Sequence, residues 1–415
     1  MKKISRITVL SLVLVLILSS LALAKDVKIS VDGLDKNLNI EIINARSYVA
    51  SESLKDFGLT TTEKGNVIVV RNDDVVFEFI IGSNQVKVND LCLTLDARPY
   101  KNDKDVYLPL RFILETLNYK IGWDNEAKKV KAEKLKELTF PITIVDGDNT
   151  YVVEKEAKTI VSMAPGVTEK LFALGVGDRI KGRTQYCNYP EEVKNIPSIG
   201  TLYEPNLELI LDINPDLVIG ETHFKDEVIA KLNEAGIKVV AKSTAKDMEG
   251  VYDYMLKLGA IVNKNYEARA LVSSLRAKVD RVKYELKDLK ESDKPKVYYI
   301  VGTGQWGEYT AGKDTFISEL ISLAGGKNVA DDVVGWKYSL EKLIDHDPDI
   351  IIGGQFNVDT MVNGENYQVL SAIKNKKYKV VNEDIFVRAA PRAINEGLKI
   401  LIETFHKEKI KDLDF

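Results

Sequence analysis

The chain has 415 residues, with 58 lysines and arginines against 62 aspartates and glutamates and a formal net charge of −4. That length suits two or three domains with substantial cores. The charge balance shows no basic excess that would point to nucleic acid, and two cysteines, Cys92 and Cys187, exclude a disulfide framework.

The amino terminus carries Lys2, Lys3 and Arg6, then a mostly apolar run from Ile7 to Leu18, then small residues ending at Ala24. This is the order of a secretory signal, residues 1–24, with cleavage expected after Ala24 at an Ala22-x-Ala24 site. A retained membrane anchor is the alternative, because Ile7 to Ala24 is almost long enough to span a bilayer. No cysteine near the cut offers a lipid-modified amino terminus. The mature chain is expected to be secreted or at the cell surface, outside the cytoplasmic membrane.

Residues 25–135 contain an internal repeat. The segment Ala45 to Arg71 resembles Asp105 to Ala132, each with an aromatic-aliphatic start, a short amphipathic helix and then alternating strands. Two strand-helix-strand units predict one small α+β domain. The run VYLPLRFILETLNYKIGWD and the tail AKKVKAE resemble the copper amine oxidase N-terminal-like domain of secreted bacterial proteins. The segment has no histidine and no ligand cluster, so copper is not implied, and an accessory or surface-attachment module is expected. Residues 136–154 read as a linker and a lead-in strand, with a turn at Asp146-Gly147-Asp148-Asn149.

A second repeat organises the remainder. Asn206 to Glu221 matches Ser339 to Gly354: a short helix, Pro-Asp, a buried strand, then glycine. Leu207 and Glu208 pair with Leu340 and Glu341, and Pro215 and Asp216 with Pro348 and Asp349. Further apolar strands alternate with helical patterns, the signature of α/β lobes with mostly parallel sheets. Between the lobes, apolar positions from Ala268 to Leu289 recur mostly at spacings of three and four. They predict one long amphipathic helix, charged on its outer face, over residues 263–292. The fold class expected is α/β: two Rossmann-like lobes, 155–262 and 293–415, joined by a spine helix that permits small openings only.

In open α/β sheets ligands bind beyond the carboxyl ends of the strands. The loops there carry Tyr186, Tyr203, Phe224, Trp306, Tyr309, Trp336, Phe356 and Phe386. Packing against its own lobe is the alternative for any one ring; as a set, they suit a large, flat, partly apolar ligand held in a cleft.

The runs IVSMAPGVTEKLFALGVGDRIKGRTQYCNYPEEV, IGTLYEPNLELILDINPDLVIG, TAGKDTFISELISLAGGKNV and RAAPR make residues 155–410 similar to the class III ABC-transporter substrate-binding proteins. That family includes vitamin B12, siderophore and haem binders. The resemblance implies two lobes joined by one helix, a ligand captured outside the membrane, and delivery to a permease. YCNYP and RAAPR favour a corrinoid; siderophore and haem receptors are the alternatives. Trp336, Tyr186 and Phe386 match pocket aromatics, and Tyr203 falls near a position where one is expected; Trp306 joins them from its loop. Arg388 suits a carboxylate or phosphate on the ligand, the alternative being a salt bridge within its lobe. The family presents one acidic residue per lobe to arginines of the permease, which implies Glu208 and, in the second lobe, Glu319. Either one is otherwise a charge on a solvated helix face.

A resident cofactor or metal is not expected. His223, His346 and His406 are the only histidines, and His223 alone cannot build a tetrahedral metal site. A secreted enzyme using Cys187 as nucleophile is the reading of a different class, and it would need a partnered base. His223 is the only histidine placed to come near it.

Overall fold

A computed structural model of the chain describes residues 27–102, 104–221, 225–304 and 307–408. The expected signal segment lies outside these residues, as do His223, Phe224 and Trp306. No helix among the described residues is long and apolar enough to cross a membrane. The chain divides into two compact units, 1–137 and 138–415.

In the first unit the repeat is built around two neighbouring strands. Arg46–Ala50 leads into a 3-10 turn, Ser51–Phe57, and Val106–Pro109 leads into the α-helix Leu110–Thr116. The two strands pair antiparallel, Leu108 opposite Val49. An antiparallel five-stranded meander spans Thr60 to Thr94. Its alternating pattern buries Phe77 and Phe79, whose rings meet Phe112 of the helix at centroid distances of 6.2 and 6.1 Å.

In the second unit, the residues read as a linker include a hairpin, Ile142–Asp146 with Asn149–Val153. It belongs to the first lobe: the Asp146 carboxylate accepts from Ser243 N at 2.7 Å and from Ser243 Oγ at 2.9 Å. The first lobe has a parallel four-stranded sheet in the order Ile180–Arg183, Ile160–Ser162, Leu217–Glu221, Val239–Lys242. In the second lobe Lys296–Gly302 is central, parallel to Ile350–Gly353, which pairs with Tyr378–Val380. Two antiparallel strands, Glu308–Thr310 and Lys337–Tyr338, complete the other side.

The Asn206/Ser339 repeat has a local cause. Asn206 and Ser339 cap seven-residue helices, accepting from Leu209 N and Lys342 N. Asn214 and Asp347 end them in the left-handed region, at φ 46° and 43°, a conformation Asn and Asp tolerate. The following prolines cannot continue a helix. The Asp216 carboxylate then accepts from Lys158 N and Thr159 N at 3.0 Å, and that of Asp349 from Lys296 N at 2.8 Å. Each Pro-Asp thereby ties its helix-strand turn to the start of the neighbouring strand.

The helix joining the lobes is Asn265–Glu285, shorter than the 263–292 expected; the chain beyond Glu285 turns before Glu291. Its charges are not all outside. Glu267, Arg269 and Lys278 are buried, because helix Met248–Ile261 covers one side and the second lobe reaches another. Lys278 Nζ bonds Asn395 Oδ1 at 2.7 Å.

Candidate functional site

Each exposed aromatic at a strand end is held by its backbone. The loop after Ile180–Arg183 carries Tyr186, and Gln185 N donates to Gly200 O at 2.9 Å, joining it to the loop that carries Tyr203. Trp336 is pinned by its carbonyl, which accepts from Thr310 N at 2.8 Å. Phe356 stands in the first turn of the helix Gln355–Asn363, just past Ile350–Gly353. Tyr186 and Tyr203 are each 48% exposed, Trp336 46% and Phe356 79%. Large rings left this wet suit a surface that a ligand covers.

Phe386 is a correction. Its side chain is fully buried and its ring meets Tyr299 at 5.6 Å, while Val387 is the exposed residue of that four-residue helix. It anchors the loop and does not line the cleft.

Arg388 is a second correction. It is buried and already committed. One arm, Nη1, donates to Glu169 Oε1 at 2.8 Å and to Asn188 Oδ1 at 2.7 Å. The other, Nη2, meets Asp384 Oδ1 at 2.7 Å and Tyr186 O at 3.3 Å. The salt bridge is thus partly within its lobe and partly across to the other. Burial pushes the Glu169 carboxyl above its usual range, with the Arg388 and Arg392 guanidiniums opposing that shift.

Helix Pro165–Ala173 explains how Glu169 gets there. Successive residues turn by about 100°, so Thr168, Glu169 and Lys170 face three directions, and all three are buried. Thr168 Oγ1 lies 3.2 Å from Cys187 Sγ, Glu169 crosses to the second lobe, and Lys170 Nζ meets Glu221 Oε1 at 3.0 Å. Cys187 is buried between the hydroxyls of Thr168 and Thr184, each at 3.2 Å. Its sulfur is held inside the lobe by these two hydroxyl contacts. His346 meets Tyr338 and Val329 O, and His406 meets Gly325 O. Among the described residues no cluster of three or more His, Cys, Asp or Glu is arranged to hold a metal ion.

Glu208 is exposed in the first turn of its helix. Glu319 is not available in the same way: half-buried, it accepts from Met248 N at 2.7 Å and caps the helix Met248–Ile261. Burial also pushes its carboxyl up, against that hydrogen bond. The structural counterpart of Glu208 is Glu341, exposed in the first turn of the matching helix Leu340–His346. The repeat already paired these two residues, and that pairing was the signal for it. A groove of about 630 Å³, lined in part by Glu308, Tyr338, Leu340 and Tyr367, opens beside the start of that helix.

Two α/β lobes, one spine helix and exposed aromatics at strand ends of both lobes are the build of a solute-binding protein. Residues 160–384 match the family described as periplasmic binding protein, and the chain belongs to that family. Proteins of this family bind small molecules and deliver them to ABC transporters; they are transport proteins rather than enzymes. Residues 42–132 match the copper amine oxidase N-terminal domain. The chain is 30% identical over 298 residues to the Bacillus subtilis protein "Uncharacterized ABC transporter substrate-binding lipoprotein YvrC", covering 70% of this chain and 94% of the relative. It is 27% identical over 249 residues to the vitamin B12-binding protein of Vibrio cholerae, covering 58% and 86%. Among solved structures, a possible iron-binding protein from Staphylococcus epidermidis is 29% identical with a TM-score of 0.54, covering 61% of this chain and 100% of that one. A periplasmic haem-binding protein from Pseudomonas aeruginosa has a TM-score of 0.56 at 23% identity, covering 61% and 94%.

Proposed function

We propose that the protein captures a corrinoid between its lobes, outside the cytoplasmic membrane, and hands it to an ABC permease. The observation that carries this is the set of exposed rings at the strand ends of both lobes: Tyr186 and Tyr203 on one, Trp336 and Phe356 on the other. Flat aromatic walls favour a broad ligand with apolar faces over a bare ion or a small sugar. The names of the Vibrio cholerae relative and of the cobalamin-binding protein of Halobacterium salinarum, 29% identical over 230 residues, support a corrinoid within that class; the chain spans 61% of the latter. Glu208 and Glu341, in equivalent helix turns, are the residues that would meet the permease.

An iron chelate or haem is the second reading, favoured by the likeness to the possible iron-binding protein of Staphylococcus epidermidis. Titration calorimetry with cyanocobalamin, cobinamide, haem and a ferric siderophore tests both. Heat with a corrinoid is the expected result. Tight binding of haem or siderophore, with none for any corrinoid, overturns the ligand and leaves the transport class standing.

A further inference from the structure

The two lobes meet through an ionic cluster that the ligand reading does not require. Glu169 Oε1 accepts from Arg388 Nη1 at 2.8 Å and from Arg392 Nη2 at 2.9 Å, and all three side chains are buried. Glu169 stands on the first lobe and both arginines on the second. From there the arginines grip one loop of the first lobe. Arg388 reaches Tyr186 O and Asn188 Oδ1, and Arg392 lies under the Tyr189 ring, 4.1 Å from its centroid. Asn188 Nδ2 returns a bond to Asp384 Oδ2 at 2.8 Å, closing a ring of contacts with Arg388. Within the same loop Cys187 points the other way, into its own lobe.

Stability alone is a poor account of this cluster. Glu169 Oε2 and Arg392 Nε are shielded from solvent and make no hydrogen bond with described residues. Buried polar atoms left so are destabilising, and apolar side chains of similar volume commonly serve a core as well or better. What the cluster supplies is direction. A guanidinium fork has five donors in one plane, so four acceptors from two lobes leave it a single orientation.

We propose that Glu169 is a positioning residue of the cleft: by holding Arg388 and Arg392 it fixes the two lobes against each other at the loop Tyr186–Tyr189, and with them the Tyr186 wall. The proposal rests on the reading of the cleft as the ligand site, but its first test needs no ligand. Nitroxide labels are placed at Lys231→Cys in the first lobe and Lys374→Cys in the second, both exposed, with Cys92→Ser removing the exposed native thiol. Pulsed dipolar spectroscopy on the full, ligand-free chain is expected to give one narrow distance, which Glu169→Gln broadens or shifts. Arg392→Gln is expected to do the same, and the double variant to add nothing further, as for members of one unit. If Glu169→Gln fails to fold, Arg392→Gln alone decides. An unchanged distribution in a folded variant overturns the proposal. With cyanocobalamin as probe, Glu169→Gln is expected to weaken binding about tenfold. A wild-type protein that binds no corrinoid, while the variant distances still broaden, refutes the ligand reading and leaves the positioning role intact.

Discussion

The Glu169 carboxylate and the Arg388 guanidinium lie 2.8 Å apart although 219 residues separate them in the chain. They belong to different lobes, so this contact ties one lobe directly to the other. A charge pair removed from water is costly unless its geometry is good, and removing one partner leaves the other buried and unpaired. The exposed rings at the strand ends are where ligand contacts should be tested.

Trp336→Ala should weaken ligand binding by about 1–3 kcal/mol, the usual range for an aromatic anchor that a ligand covers. Calorimetry on the variant measures this directly. Unchanged affinity places Trp336 outside the site.

Phe386→Ala should act differently. Its ring is buried against Tyr299, so the substitution opens a cavity and lowers unfolding stability by about 3–5 kcal/mol. Urea titration of the two variants side by side separates wall from core. A stability loss in Trp336→Ala equal to that of Phe386→Ala would make Trp336 a core residue as well.

Glu208→Arg and Glu341→Arg should leave ligand affinity intact and impair uptake in cells. Exposed rim charges steer encounter and set orientation more than they hold ligand, so the defect should be largest at low ionic strength. Normal uptake in both variants would remove the docking role. Glu319→Arg is expected instead to destabilise the fold, because its carboxylate caps a helix from the other lobe.

Asp216 sets a pH dependence of stability. Burial raises its carboxyl, but hydrogen bonds from Lys158 N, Thr159 Oγ1 and Thr159 N outweigh that and leave it below the ordinary value of 3.8. A depressed folded-state value means the stabilisation is present above the unfolded value and lost as pH falls through the folded one. Asp216→Asn should therefore cost about 1–2 kcal/mol at pH 7, with the gap to wild type closing below the ordinary aspartate value. Parallel urea titrations at neutral and acid pH check it; a constant gap would show that charge is irrelevant there.

The sequence is legible where causes are local. The helix, Pro-Asp and strand repeat is written in caps, a proline and apolar runs, all within sixteen residues of one another, and the lobes follow from it. Legibility fails where a second lobe decides. In helix Phe316–Leu323 the apolar pattern turns Glu319 away from its own core, but helix Met248–Ile261 covers that side. The same holds for Lys278 of the spine helix, buried where Asn395 of the second lobe reaches it. Phe386 fails for a shorter reason: in a four-residue helix no periodicity says which side chain turns inward. The polar run Thr168, Glu169, Lys170 inside an otherwise apolar helix was the visible trace of the inter-lobe cluster, and only the partners' positions give it meaning.

The spine helix joins the lobes covalently, the Glu169 cluster joins them again, and Glu319 ties the second lobe to Met248 of the first. Bodies held at three separate places do not swing freely about any one of them. A ligand entering between the rims would then meet a braced frame rather than a jaw, and release would need one of these ties to yield.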